Sequence, residues 1–186
     1  MHSEVLQRAL FLDRDGVVNE EIGYLFRPED VRFVPGIVAL CRTAQRLNYR
    51  VIVVTNQAGI ARGYYSEEDY QRLMQWMRTE LAREGVGFDA VYHCPFHPEH
   101  GLGEYRREHE DRKPGIGMLL RGAREFGLSL EASVMVGDRC TDMAAANAAG
   151  LRRAFLIGGT EAAACAGDYQ PIASLAEVER WLIEQE

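Results

Sequence analysis

The sequence predicts an α/β fold: a doubly wound parallel sheet with helices on both faces. Two observations carry the prediction. Short β-rich apolar runs alternate with longer amphipathic helical patterns, and three of the apolar runs end in polar residues. Strands of a parallel sheet share a direction, so those polar ends must converge on one crevice. With 186 residues, 47% hydrophobic and 26% charged, the chain is long enough for one ordinary domain with a real core.

The first strand is Ala9 to Leu12, a fully apolar run, and Phe11-Leu12-Asp13-Arg14-Asp15-Gly16-Val17 then sets two aspartates where the backbone leaves the sheet. Aspartate suits a strand interior poorly. The pair either makes a turn or does chemistry, one carboxylate serving as nucleophile and metal ligand while its neighbour moves protons. Gly36 to Leu47 is an amphipathic helix in which Cys41, spaced with Ile37 and Leu40, reads as small core filler. Val51 to Thr55 forms the next strand and ends in Thr55-Asn56-Gln57. Ser66 to Arg83 is helical, opened by a box of Ser66 and Asp69. Ala90 to Tyr92 is a strand, followed by His93 to Arg112, a loop rich in Pro, His, Glu and Arg and long enough to suggest function. Pro114 takes the favoured first-turn position of a helix running towards Phe126. Ser133 to Val136 ends in Gly137-Asp138-Arg139 with Asp142 following, and Thr141 to Ala149, Arg153 to Leu156 and Leu175 to Glu184 complete the alternation. Asp13, Asp15, Thr55, Asn56 and Asp138 therefore meet at one edge. Arg112-Lys113 adds a basic pair beside those carboxylates.

The net charge of −7 argues against a nucleic-acid surface. No apolar run is long enough to span a bilayer, and Met1-His2-Ser3-Glu4 lacks the basic start of a signal peptide, so a cytoplasmic protein is expected. Cys41, Cys94, Cys140 and Cys165 are too scattered for a disulfide framework, and in a reducing compartment they should remain thiols.

In order, Asp13-x-Asp15, Thr55, Lys113 and Gly137-Asp138-x-x-x-Asp142 resemble the four motifs of haloacid dehalogenase superfamily phosphatases. More narrowly, the stretch from Phe11 to Asn19, Gly23-Tyr24, the stretch from Thr55 to Gly63 and Arg112-Lys113-Pro114 resemble the D-glycero-D-manno-heptose 1,7-bisphosphate 7-phosphatase group, whose relatives include histidinol-phosphate phosphatase domains. The resemblance implies that Asp13 attacks phosphorus and that Asp15 protonates the leaving oxygen and then activates water. Thr55 and Lys113 would hold the transferring oxygens, and Mg²⁺ would rest on the carboxylates of Asp13 and Asp138 and the main-chain carbonyl of Asp15. It also implies substrate contacts from Glu21, Gly23, Tyr24, Asn56, Gln57, Arg62, Arg112 and Arg139, the last two on the distal phosphate, although Arg139 is usually lysine there. The intervals between motifs are too short for a cap domain, so residues 1–186 read as one capless unit. The implied partner is a small phosphorylated sugar, with no nucleic acid or membrane, for a monomer in lipopolysaccharide heptose synthesis.

One departure concerns zinc. The group carries a Cys-x-His, Cys-x-Cys site in the long loop; here Cys94 is retained but Phe96, His109 and Asp111 stand at the other positions. Losing two thiolates removes soft ligands. A structural zinc is therefore not expected, the alternative being a rearranged set of Cys94, His97, His100 and His109. Two further readings compete: a histidinol-phosphate phosphatase, and a receiver-like phospho-aspartate signalling domain.

Overall fold

A computed structural model describes residues 7–158 and 165–185, so the expectation drawn from Met1 to Glu4 lies outside the described residues. Six strands, β1 (Arg8–Leu12), β2 (Tyr49–Asn56), β3 (Ala90–Cys94), β4 (Val134–Gly137), β5 (Arg153–Ile157) and β6 (Gln170–Ile172), pair in parallel in the order β3-β2-β1-β4-β5-β6. Among the described residues the helices are α1 (Ile37–Arg46), α2 (Ala58–Ala61), α3 (Glu67–Arg83), α4 (Gly117–Phe126), α5 (Cys140–Ala148) and α6 (Leu175–Glu184).

The two-residue period of the strands sorts the helices onto two faces. Leu10, Leu12, Val51 and Val53 pack with Leu40 and Cys41 of α1, Leu73 and Met77 of α3, and Val178 and Leu182 of α6. Phe11, Ile52 and Val54 point the other way, onto Met118 and Leu119 of α4 and Met143 and Ala145 of α5. The chain runs outward from β1 to β3, then returns to place β4 on the other side of β1. Strand order reverses there, so a crevice opens outside the carboxyl ends of β1 and β4, where ligands bind in open α/β sheets. Among the described residues, only short 3-10 turns at Pro28–Asp30 and Gly103–Tyr105 and the four-residue α2 interrupt the loops at that edge, and no cap stands over it. Among the described residues, no helix is long and apolar enough to cross a membrane.

The structure departs from the sequence reading in four places. β6 was not expected, because Gln170-Pro171-Ile172 is too short to show a period; as an edge strand it tolerates the missing N–H of Pro171. α2 forms between Gln57 and Ser66, where the sequence reading places no element. α4 begins at Gly117 rather than at Pro114, because the chain first closes a turn in which Gly115 N–H donates to Arg112 O and Gly117 N–H to Glu110 O. Cys140 and Cys165 are joined in a disulfide rather than standing as thiols. β4 and β5 are sheet neighbours, so residues beyond their ends meet despite a sequence separation of 25, which spacing alone does not reveal. Cys41 is buried in the core as expected, and Cys94 is the other free cysteine.

Candidate active site

β1 ends at Leu12, and Asp13 stays tied to the neighbouring strand by its N–H donating to Val136 O at 3.0 Å. The loop then turns back through Gly16, whose φ of +82° favours glycine and whose added Cβ would lie 2.4 Å from Asp138 Oδ2. Only glycine lets the β1 loop approach the residue after β4 this closely. Asp13, Asp138 and Asp142 thus bring carboxylate oxygens within 4.8 Å of one another.

Lys113 answers that charge. It is 3% exposed, with Nζ 2.9 Å from Asp13 Oδ1, 2.6 Å from Asp142 Oδ1 and 2.8 Å from Val54 O. Burial works against its charge, but Asp13 and Asp142 outweigh it and hold the ammonium above its ordinary pKa. One lysine does not neutralise three carboxylates. Burial, with Asp142 and Asp138 adding to it against the pull of Lys113, raises Asp13 to about 8; burial and Asp142 raise Asp138 to about 6. Asn56 fixes the lysine's backbone from both ends of one amide, Nδ2 donating to Lys113 O and Lys113 N–H donating to Oδ1, each at 3.0 Å.

Asp15 is oriented separately. Arg14, 1% exposed, donates through Nη2 to both its oxygens at 2.8 and 2.9 Å, while Asn19 Nδ2 reaches Oδ1 at 3.0 Å and Gln57 Nε2 reaches Oδ2 at 3.1 Å. Gln57 Nε2 also donates to Thr55 Oγ1 at 2.8 Å, and its Oε1 accepts from Tyr65 Oη at 2.5 Å. One amide therefore bridges the Asp15 carboxylate and the Thr55 hydroxyl.

The carboxylate cluster fits a hard divalent cation. The donors are all oxygen, and Asp138 Oδ1 is buried without a hydrogen-bond partner, its nearest cation being Arg139 Nε at 3.9 Å. Asp13 and Asp138 both stand in this group and would hold the ion. Asp142, which the sequence marks only as part of a motif, instead serves as the second anchor of Lys113. The carboxylate of Asp15 lies outside the group, leaving only its main-chain carbonyl for the role expected of it.

Above the cluster lies a cleft of about 540 Å³. All the substrate contacts expected from the sequence line it: Glu21, Gly23, Tyr24, Asn56, Gln57, Arg62, Arg112 and Arg139, together with Asp13, Asp15, Thr55 and Lys113. Glu21 is shared, Oε1 accepting from Gly23 N–H at 2.6 Å and Oε2 from Arg139 Nη2 at 3.0 Å. Tyr24 packs edge-on against Tyr64 with centroids 4.5 Å apart. Tyr65, His97 and Thr141 also line the cleft and were not read as substrate-facing. Nothing local marks Tyr65 or Thr141, and the loop composition around His97 points to a metal ligand rather than a substrate contact.

Comparison with known proteins decides the family. A HAD-hydrolase-like family profile matches residues 111–178. The D-glycero-alpha-D-manno-heptose-1,7-bisphosphate 7-phosphatase of Burkholderia mallei is 52% identical over 150 residues, covering 81% of this chain and 79% of that one. The chain belongs to the haloacid dehalogenase-like phosphatases. A second relative of this phosphatase, the D-glycero-beta-D-manno-heptose-1,7-bisphosphate 7-phosphatase of Vibrio cholerae, is 47% identical over 80% of each chain. The crystal structure of D,D-heptose 1,7-bisphosphate phosphatase from B. bronchiseptica, complexed with magnesium and phosphate, matches with a TM-score of 0.83 at 28% identity, covering 96% of this chain and 99% of that one. The phosphatase is accordingly a phosphoric monoester hydrolase, and the signalling-domain alternative falls.

The phosphatase does not gather the rearranged zinc set. Its His97 Nδ1 accepts from the N–H groups of Glu99 and His100 at 3.2 and 3.1 Å, and His109 Nδ1 accepts from Asp111 N–H at 3.1 Å. The His109 ring stacks on Phe96 with centroids 4.6 Å apart, Arg107 covers the same phenyl ring, and the Asp111 carboxylate pairs with Arg121 of α4. Burial raises the Cys94 thiol above its usual pKa, which opposes thiolate ligation. Among the described residues, the one metal-ready group is Asp13, Asp138 and Asp142.

Proposed function

We propose that this capless domain of residues 1–186 hydrolyses the C7 phosphate of D-glycero-D-manno-heptose 1,7-bisphosphate, as a cytoplasmic monomer in ADP-heptose and lipopolysaccharide core synthesis. The observation that carries the reading is Lys113, buried between Asp13 and Asp142 beside Asp138 at the floor of an open, cation-rimmed cleft. Asp13 attacks phosphorus in line and becomes the aspartyl-phosphate, while Thr55 and Lys113 bind the equatorial oxygens where charge must be stabilised. Asp15, held by Arg14, Asn19 and Gln57, gives a proton to the leaving sugar oxygen and later takes one from the attacking water. Mg²⁺, when bound by Asp13 and Asp138 with the carbonyl of Asp15, supplies charge neutralisation at the phosphoryl group. Both anomers appear among the names of relatives, so this reading names none.

Mg²⁺ dependence has a pH signature. Because burial raises Asp13 and Asp138 above the ordinary 3.8, the metal-free folded state holds protons that the unfolded chain has released between about pH 4 and 8. Stability from these groups therefore falls as pH rises through that window, and a cation that replaces the protons restores it. Thermal melts with EDTA and with saturating Mg²⁺ should show a larger metal-induced rise at pH 8 than at pH 5.5, of order 2.7 kcal/mol at a hundred-fold excess over Kd. A rise that is equal or larger at pH 5.5 would place the cation elsewhere.

Substrate choice is tested by comparing kcat/KM on the heptose bisphosphate, histidinol phosphate and 4-nitrophenyl phosphate, in the native protein and in Arg112→Ala and Arg139→Ala. Loss of a charge-assisted contact to the second phosphate should cost roughly 2 kcal/mol on the bisphosphate and little on the nitrophenyl ester. Equal losses on both, or faster native turnover of histidinol phosphate, would overturn the heptose assignment.

A further inference from the structure

Arg62, Arg112 and His97 line the same cleft, and both arginines lie close enough for their charge to act on the His97 ring. Arg62, just after α2, has a buried Nε with no hydrogen-bond partner. Arg112 donates through Nη1 to Phe96 O at 3.1 Å. His97 lines the cleft with both of them. Its Nδ1 accepts from two backbone N–H groups, at 3.2 and 3.1 Å, which leaves the proton of a neutral ring on Nε2. That Nε2 makes no hydrogen bond within the described chain, and burial with nearby Arg112, His100 and Arg62 disfavours a second ring proton.

The loop holding this donor is anchored, His97 N–H donating to Tyr105 O at 3.1 Å and Leu102 N–H to Ala61 O at 2.8 Å. It leaves the sheet from β3, two strands from β1. At ~4.8 Å per strand the separation is about 10 Å, enough to place an anion across a sugar from the phosphoryl group at Asp13.

We propose that His97 is a specificity-determining residue whose Nε2–H, with Arg62 and Arg112, receives the phosphate that is not cleaved. The proposal rests on the bisphosphate reading above. Its test is kcat/KM for D-glycero-D-manno-heptose 1,7-bisphosphate and for the corresponding heptose 7-phosphate, in the native protein, His97→Ala, His97→Phe and His97→Gln, each checked by thermal melting. His97→Ala and His97→Phe should lose about ten-fold or more on the bisphosphate relative to their loss on the 7-phosphate, mainly through KM, the size expected for one hydrogen bond to a charged group. His97→Gln, which retains an N–H donor, should recover part of that ratio. His97→Phe keeps a ring against His100 and so carries the test if the alanine variant fails to fold. Losses equal on the two substrates, or an unchanged ratio where the native protein prefers the bisphosphate, overturn the role of His97 alone. A native protein showing no such preference overturns the bisphosphate reading and this subsite together.

Discussion

Asp13→Asn is expected to abolish turnover, by about 10⁴-fold or more, or roughly 5.5 kcal/mol of transition-state stabilisation. The amide keeps the shape of the side chain but is not a competent nucleophile. Asp13 stands at the end of β1 on the cleft, contacts Lys113 at 2.9 Å and has a carboxylate oxygen within 4.8 Å of those of Asp138 and Asp142. Thermal stability should be retained, because burial already favours the neutral form of Asp13 when no metal is bound, and Asp142 keeps Lys113 paired. Steady-state kinetics on any accepted phosphate ester in Mg²⁺, beside a melt, checks both halves. Near-normal activity would defeat the mechanism outright.

Lys113→Met should be the most destabilising single change at the site, costing ~3–5 kcal/mol, the scale of removing one partner from a buried ion pair. Methionine fills comparable space but leaves Asp13 and Asp142 buried beside one another with Asp138 close by. Activity falls as well, through loss of the phosphoryl contact. Saturating Mg²⁺ should recover part of the stability, since a cation between Asp13 and Asp138 relieves the same repulsion. Denaturant midpoints with and without Mg²⁺ measure this. A loss under 1 kcal/mol without metal would mean that the carboxylates are not ionised together and that Lys113 is not their counter-charge.

Much of the site was legible in the chain. A strand announces itself by apolar length, and a carboxylate, threonine or Gly-Asp pair at its end is then placed at the sheet edge by strand direction alone. Strand direction alone therefore sends Asp13, Asp15, Thr55 and Asp138 to one crevice. The short intervals between motifs likewise disclosed an edge without a cap. The two-faced packing of Leu10 and Phe11 follows from a period of two, which is a property of the local sequence.

Other features depend on which segments meet, and no local pattern encodes that. Asp142 reads as an acidic residue in a helix first turn; only the return of β4 beside β1 puts its carboxylate 2.6 Å from Lys113. Cys140 and Cys165 looked like isolated thiols because their proximity arises from β4 and β5 being neighbours. α4 starts late because backbone hydrogen bonds from Gly115 and Gly117 close a turn that propensity at Pro114 does not foretell. His97 could be read as a metal ligand until the fold occupied its Nδ1 with two backbone donors and turned the ring to the cleft. Which chemistry stands at the strand ends follows from burial period and strand direction, because both are local and additive. Tertiary structure alone decided charge partners, the disulfide and the cleft wall, because those are contacts between segments whose separation along the chain carries no distance information.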